Sequence, residues 1–211
     1  MATPTLGELI PAGRTALVLQ EVQNGVVGVA SVFPALAAAA AEVGVARNAA
    51  RLAVAARAAG VPVVHATAEN LSGGFGANRN ARLFAAARKA GADNTPGTSS
   101  VRPLAMVHDA GDVILPRYHG LSPMADGQLD ALLRNTGITS IVVAGVSLNV
   151  AIPNLVFDAV NRAYRVVVVT DAVAGVPLEF GARVLEHTVG LIATLATADE
   201  VVTTWSAREG R

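Results

Sequence analysis

The feature that most limits how this chain can fold is a set of short runs rich in Val and Ile, at residues 16–20, 61–67, 140–144 and 165–170, each bounded by Gly, Pro, Asp or Asn. Because they are continuously apolar instead of alternating, they predict strands covered on both faces, as in a parallel sheet. Between them, residues 34–59, 80–90, 127–135, 153–163 and 178–195 carry helical periodicity. Strand and helix in alternation predict βαβ crossovers, and so an α/β fold: a three-layer α/β/α sandwich around a mainly parallel, doubly wound sheet. Residues 113–115 and 200–204 predict weaker strands, the second at an edge. Gly44 either splits the alanine-dense 34–59 segment into two helices or is tolerated within one, at about 1 kcal/mol. The long stretch without periodicity, residues 90–112, reads as an ordered surface loop, too short to separate two cores. Residues 1–211 are therefore expected to form a single domain.

Composition narrows the function classes. With 52% apolar and 15% charged side chains, 211 residues can bury one sizeable core. Sixteen Lys and Arg balance sixteen Asp and Glu, so no basic surface is expected and nucleic acid is not an expected partner. The first residues lack a basic segment followed by an apolar leader, and no apolar run reaches the roughly 20 residues of a membrane span. A soluble, cytoplasmic protein with no membrane partner is expected. The chain has no cysteine, which excludes disulfides, thiolate catalysis and cysteine-ligated zinc within it.

Ligands of an open α/β sheet bind beyond the carboxyl ends of the strands, so the polar residues that follow each apolar run are the candidates. These are Glu21, Gln23 and Asn24; Thr67, Glu69 and Asn70; Arg117, Tyr118 and His119; and the turn from Gly145 to Asn149. A carboxylate, a cation and a glycine turn converge on one edge. Such a set is either a small-molecule site or simply the polar margin of a chain leaving its core, and the spacing leaves both open. His65 reads as a core histidine bonded to backbone, His108 and His187 as loop and helix-surface residues, and only His119 has a claim on the pocket. No histidine pair has metal-ligand spacing, so neither metal nor cofactor is expected.

The segments "ALVLQEVQNGVVG", "VPVVHAT", "SPMADGQLDALLRNTGITSIVVAGVSLNVAI" and "FDAVNRAYRVVVVTDAVAG" together cover most of the chain. In that order the chain resembles the isochorismatase-like hydrolase superfamily, which includes nicotinamidases and N-carbamoylsarcosine amidohydrolases. The resemblance implies a triad of Asp, Lys and Cys. Glu21 stands at the aspartate position, Ala151 at the cysteine position, and Arg117 is the only cation near the lysine position. It also implies substrate contacts from Gln23, His119, Gly145, Val146, Ser147 and Asn149. The metal cluster of nicotinamidases has no counterpart in "ATAENLSGG".

Each departure has a physical meaning. Alanine carries no nucleophile, so a thioester route has nothing to start from. Glu21 reaches one methylene farther than Asp and is either an acid or base, or the structural partner of Arg117. Arginine stays charged and cannot replace lysine as a proton donor, but its fork can clamp a carboxylate. The "GVSLN" turn retains the backbone of an oxyanion hole, with Gly145 free to take unusual φ, Asn149 as the expected N-cap and Pro153 in the first helical turn. The resemblance then leaves three functions: a cysteine-independent hydrolase of a small carboxylate-bearing metabolite, of isochorismatase type; a silent member that binds a metabolite or acts as a partner subunit; or a structural domain. A homo-oligomer is expected, because segments 34–59 and 178–195 are apolar on more than one face and members of the family commonly associate.

Overall fold

The computed structural model describes residues 4–29, 31–91, 93–125 and 128–207. In chain order, α1 (Leu6–Leu9) precedes β1 (Thr15–Gln20), followed by α2 (Asn24–Val27), α3 (Pro34–Val43), α4 (Val45–Ala58), β2 (Val63–Ala68), α5 (Arg82–Lys89) and β3 (Val113–Arg117). The second half comprises α6 (Gln128–Asn135), β4 (Ser140–Val146), α7 (Ala151–Asn161), β5 (Arg165–Ala174), α8 (Leu178–His187), β6 (Thr194–Ala196) and α9 (Ala198–Ser206). The strands form a six-stranded sheet in the order β3-β2-β1-β4-β5-β6, with every neighbouring pair parallel. The chain builds outward from β1 through β2 to β3, returns to place β4 against β1, and builds outward the other way. The order therefore reverses between β1 and β4, and a crevice opens at their carboxyl ends.

Alternate side chains of each strand enter opposite cores. Leu17 and Leu19 pack in a cluster with α4 and α9, which includes Leu52 and the buried Trp205; Ala16 and Val18 pack with Leu129, Leu133 and Leu155 of α6 and α7. Both faces of the sheet are covered, which is why the strand sequences run apolar without alternation. Trp205 also donates its indole N–H to the carbonyl of Ile10, 3.3 Å away, joining the last helix to the first turn of the chain. Among the described residues no helix is long and apolar enough to cross a membrane.

The structure decides the open points and corrects others. Gly44 divides the alanine-rich segment: its φ is +84°, and its N–H caps α3 at the carbonyls of Ala40 and Ala41. Residues 200–204 are not an edge strand but lie within α9. The edge beyond β5 is formed by β6, in a segment expected to be the end of a helix; α8 stops at His187, and a single 3₁₀ turn leads into β6. The helix expected at 153–163 begins two residues earlier, at Ala151. The expected start of α6 at Gly127 lies outside the described residues. His65 bonds the Asp112 carboxylate at 2.8 Å, not backbone.

Candidate active site

The crevice at the switch point is a cavity of about 220 Å³. Glu21 enters it from the end of β1, Glu69 from the end of β2, Arg117 and His119 from the end of β3, and Ser147 and Ala151 from the turn after β4. Phe33, Leu83 and Phe84 close it from α3 and α5. Helix α5 has no buried residue of its own; its apolar side covers the cavity instead of a core.

Glu21 has φ +54°, a left-handed conformation that a side chain adopts at a cost, and its N–H is held by the carbonyl of Ala66 at 2.9 Å. One carboxylate oxygen, Oε1, accepts from Arg117 Nη2 at 2.5 Å and from Gln20 Nε2 at 2.8 Å. The other, Oε2, makes no hydrogen bond among the described residues and is not sealed away from solvent. Arg117 is 9% exposed; its Nη1 donates to the carbonyl of Gly120, while its buried Nε has no partner among the described residues. Carboxylate and guanidinium therefore meet directly, and the cavity stands open beside them.

Ala151 occupies the first position of α7 and is 7% exposed. The N–H groups of Val150 and Ile152 both donate to the carbonyl of Ser147, at 3.3 and 3.0 Å, while the N–H of Ala151 has no acceptor among the described residues. A free N–H at a helix N-terminus is a donor for a developing negative charge. The methyl group beside it supplies no nucleophile.

Gly145 and Val146 do not line the cavity but shape the turn that does. Gly145 has φ +119°, and a Cβ there would lie 2.0 Å from the carbonyl oxygen of Gln20; only glycine lets β4 approach β1 so closely. Gln23 and Asn149, also expected as contacts, are likewise outside the lining. Gln23 is fully buried and binds backbone, donating to the carbonyls of Ala68 and Ser100 at 3.1 and 3.3 Å and accepting from the N–H of Ala68 at 2.7 Å. Asn149 is exposed and does not cap α7, whose N-cap is Val150; its amide pairs with the backbone of Val176, giving a hydrogen bond at 2.5 Å and accepting one at 2.8 Å. Both buttress the site without lining it. Glu69, counted among the polar strand ends but not among the implied contacts, does line it, and so do the aromatic rings from α3 and α5. Among the described residues no three His, Cys, Asp or Glu side chains are grouped to hold a metal ion.

Known proteins repeat this frame. A cysteine hydrolase from Pseudomonas syringae pv. phaseolicola superposes with a TM-score of 0.78 at 22% identity, over 98% of this chain and 99% of that one. An isochorismatase family protein from Desulfovibrio vulgaris gives 0.74 at 23% identity over 93% and 98%, and N-carbamoylsarcosine amidase from Thermoplasma acidophilum 0.68 at 23% over 88% and 97%. At those identities the likeness is one of fold. The ureidoacrylate amidohydrolase of Methylorubrum extorquens is 33% identical over 110 residues, which span 49% of this chain and 43% of that protein, less than half its length. The isochorismatase domain pattern matches residues 15–200, from the first residue of β1 into α9, so the sheet, the switch-point cavity and the turn at Ala151 all fall inside it, and the chain belongs to the isochorismatase family.

Proposed function

We propose that this protein is a hydrolase that works without a thiol on a small carboxylate-bearing metabolite, with Glu21 as the group that carries the proton. The observation that carries the reading is the division of labour within one carboxylate: Oε1 is fixed by Arg117 and Gln20, and Oε2 is left unbonded by any described residue, in a chamber wide enough for a small molecule. A fixed carboxylate with a free oxygen is what proton transfer to or from a bound substrate requires. On a vinyl ether of isochorismate type, Glu21 would deliver a proton to the vinyl carbon. Water would add at the carbon bearing oxygen and return the proton, and the hemiketal would collapse to a keto acid and an alcohol. The N–H of Ala151 and the Arg117 charge favour anionic groups nearby.

A second reading, a silent binder, is favoured by one observation: two groups of the Arg117 guanidinium are already engaged, by Glu21 and Gly120. Hydrolysis of isochorismate, other vinyl ethers and N-carbamoyl amides separates the two. The wild type should turn over at least one of these classes, and Glu21→Gln should lose that turnover, expected at a hundredfold or more, while keeping ligand binding. Binding by both proteins with turnover by neither supports the silent binder.

A further inference from the structure

The cavity holds a second carboxylate for which the proposed reaction has no use. Glu69 is 9% exposed, on the wall formed by the end of β2. Its Oε1 accepts from Thr67 Oγ1 at 2.9 Å, and its N–H is fixed by the carbonyl of Arg117 at 3.0 Å. Its Oε2 has no hydrogen bond among the described residues and is not sealed off, so it opens into the chamber. No described residue forms an ion pair with Glu69. An enclosed carboxylate without a cation is costly unless something supplies the missing charge.

Two carboxylates, Glu21 and Glu69, and two guanidiniums, Arg88 and Arg117, line the chamber, but they are not paired one to one. Arg117 pairs with Glu21 at 2.5 Å, and Glu69 has no cation within ion-pairing distance among the described residues. The other guanidinium of the lining, Arg88, is exposed on α5 and donates to the carbonyl of Asn78 at 3.3 Å. Phe33, Phe84 and Tyr118 line the same chamber, and aromatic faces attract an organic cation within about 6 Å. A metal ion would need further ligands, and no three such side chains are grouped among the described residues.

We infer that Glu69 is a specificity-determining residue: the chamber takes a small molecule that bears a cationic nitrogen, such as an ammonium group, and seats that nitrogen on Glu69 Oε2. This deepens the proposed hydrolase by naming a feature of its substrate, which would then be a zwitterion, its amine on Glu69 and its carboxylate toward the cationic side of the site. Amine recognition does not require turnover, so it can hold even where the hydrolase reading fails.

The test reads binding alone. Benzylamine, protonated at neutral pH, and benzyl alcohol have nearly the same shape, and each is titrated into wild type, Glu69→Gln and Glu69→Asp by ligand-observed NMR with calorimetry. The wild type should prefer benzylamine by roughly tenfold or more, the ratio expected of one hydrogen bond to a charged group. That ratio should fall close to one in Glu69→Gln and recover in part in Glu69→Asp, which keeps the charge. Added salt should reduce the wild-type preference. Equal binding of the two probes, binding of neither, or a preference that persists in Glu69→Gln overturns the inference. Thermal melts of the three proteins identify any loss that comes from unfolding, and in that case Thr67→Val, which frees Oε1 while leaving the carboxylate in place, must retain the preference.

Discussion

A side chain at position 145 would have nowhere to go. Its Cβ would lie 2.0 Å from the carbonyl oxygen of Gln20 and 2.8 Å from the carbonyl carbon, and the φ of +119° is one that side chains rarely adopt. Two penalties coincide, overpacking against backbone and backbone strain, each of about 1–3 kcal/mol. Gly145→Ala should therefore lower unfolding stability by roughly 3 kcal/mol or more, read as a shift of the urea midpoint at constant slope. An unchanged midpoint would mean that β1 and β4 do not approach as described. The effect should reach the site as well, because relief requires β1 and β4 to separate at Gln20, whose amide holds Glu21 Oε1 at 2.8 Å. Glu21 itself illustrates the same coupling. With φ +54° and an oxygen pinned by two donors, its carboxylate is positioned by strand end and neighbours together.

Helix α9 shows how an element can be misread and why. The run 200–204 is rich in Val and Thr, which favours a strand, but Thr197 and Glu200 form a reciprocal cap: Glu200 Oε2 accepts from the N–H and hydroxyl of Thr197 at 2.7 and 2.8 Å, and the Thr197 hydroxyl accepts from the N–H of Glu200 at 3.3 Å. Val201 and Trp205, one turn apart, are then buried together, and tertiary packing overrides local preference. Thr197→Ala should cost about 1 kcal/mol, measured by thermal or urea unfolding; a loss below a few tenths would show that packing of Trp205 alone sets the helix start. Strands buried on both faces, by contrast, were legible because an unbroken apolar run has few other uses. The ends of β1 and β4 were legible for the same reason and that of β3 from a weaker run at an exposed edge, and the structure brings Glu21, Arg117, His119, Ser147 and Ala151 to one cavity. Gln23 and Asn149 were not separable from such residues, since a polar amide at a strand end serves backbone or ligand equally well. The walls supplied by Phe33 and Phe84 depend on how α3 and α5 fold back over the sheet, which no local pattern encodes. An apolar helix face with no core beneath it, as in α5, is the signal that points to a cavity cover.

At the scale of the whole molecule, one buried charge network ties helix, sheet and loop together and sets the response to acid. Asp112, just before β3, accepts from Arg57 of α4 at 2.9 and 2.6 Å, from His65 of β2 at 2.8 Å and from the N–H of Asp109 at 3.0 Å, while His108 stacks edge-on against His65 with ring centres 5.5 Å apart. Burial alone would push the Asp112 carboxyl up, but the bonds from Arg57, His65 and the Asp109 N–H outweigh it and hold the group at about 2, below its ordinary 3.8. Burial also lowers His65 from its ordinary 6.5, by more than the Asp112 carboxylate raises it. Both groups are depressed on folding, so in both cases the unfolded chain binds the proton more readily, and stability rises with pH. The Asp112 contribution, roughly 2 kcal/mol, is fully present above about pH 4 and is lost as pH falls toward 2. The His65 contribution is present above about pH 6.5 and declines as pH falls from there toward its lowered value. Acid should thus destabilise the protein in two stages, first by charging His65 in a closed core and then by uncharging Asp112 beneath Arg57. Urea unfolding at a series of pH values should show both slopes in the wild type. Asp112→Asn should be less stable at neutral pH by about 2 kcal/mol, because Arg57 loses the carboxylate that two of its nitrogens bond, and should lose the slope between pH 4 and 2. If that slope is unchanged in Asp112→Asn, the acid response belongs to other carboxylates, and the network does not control it.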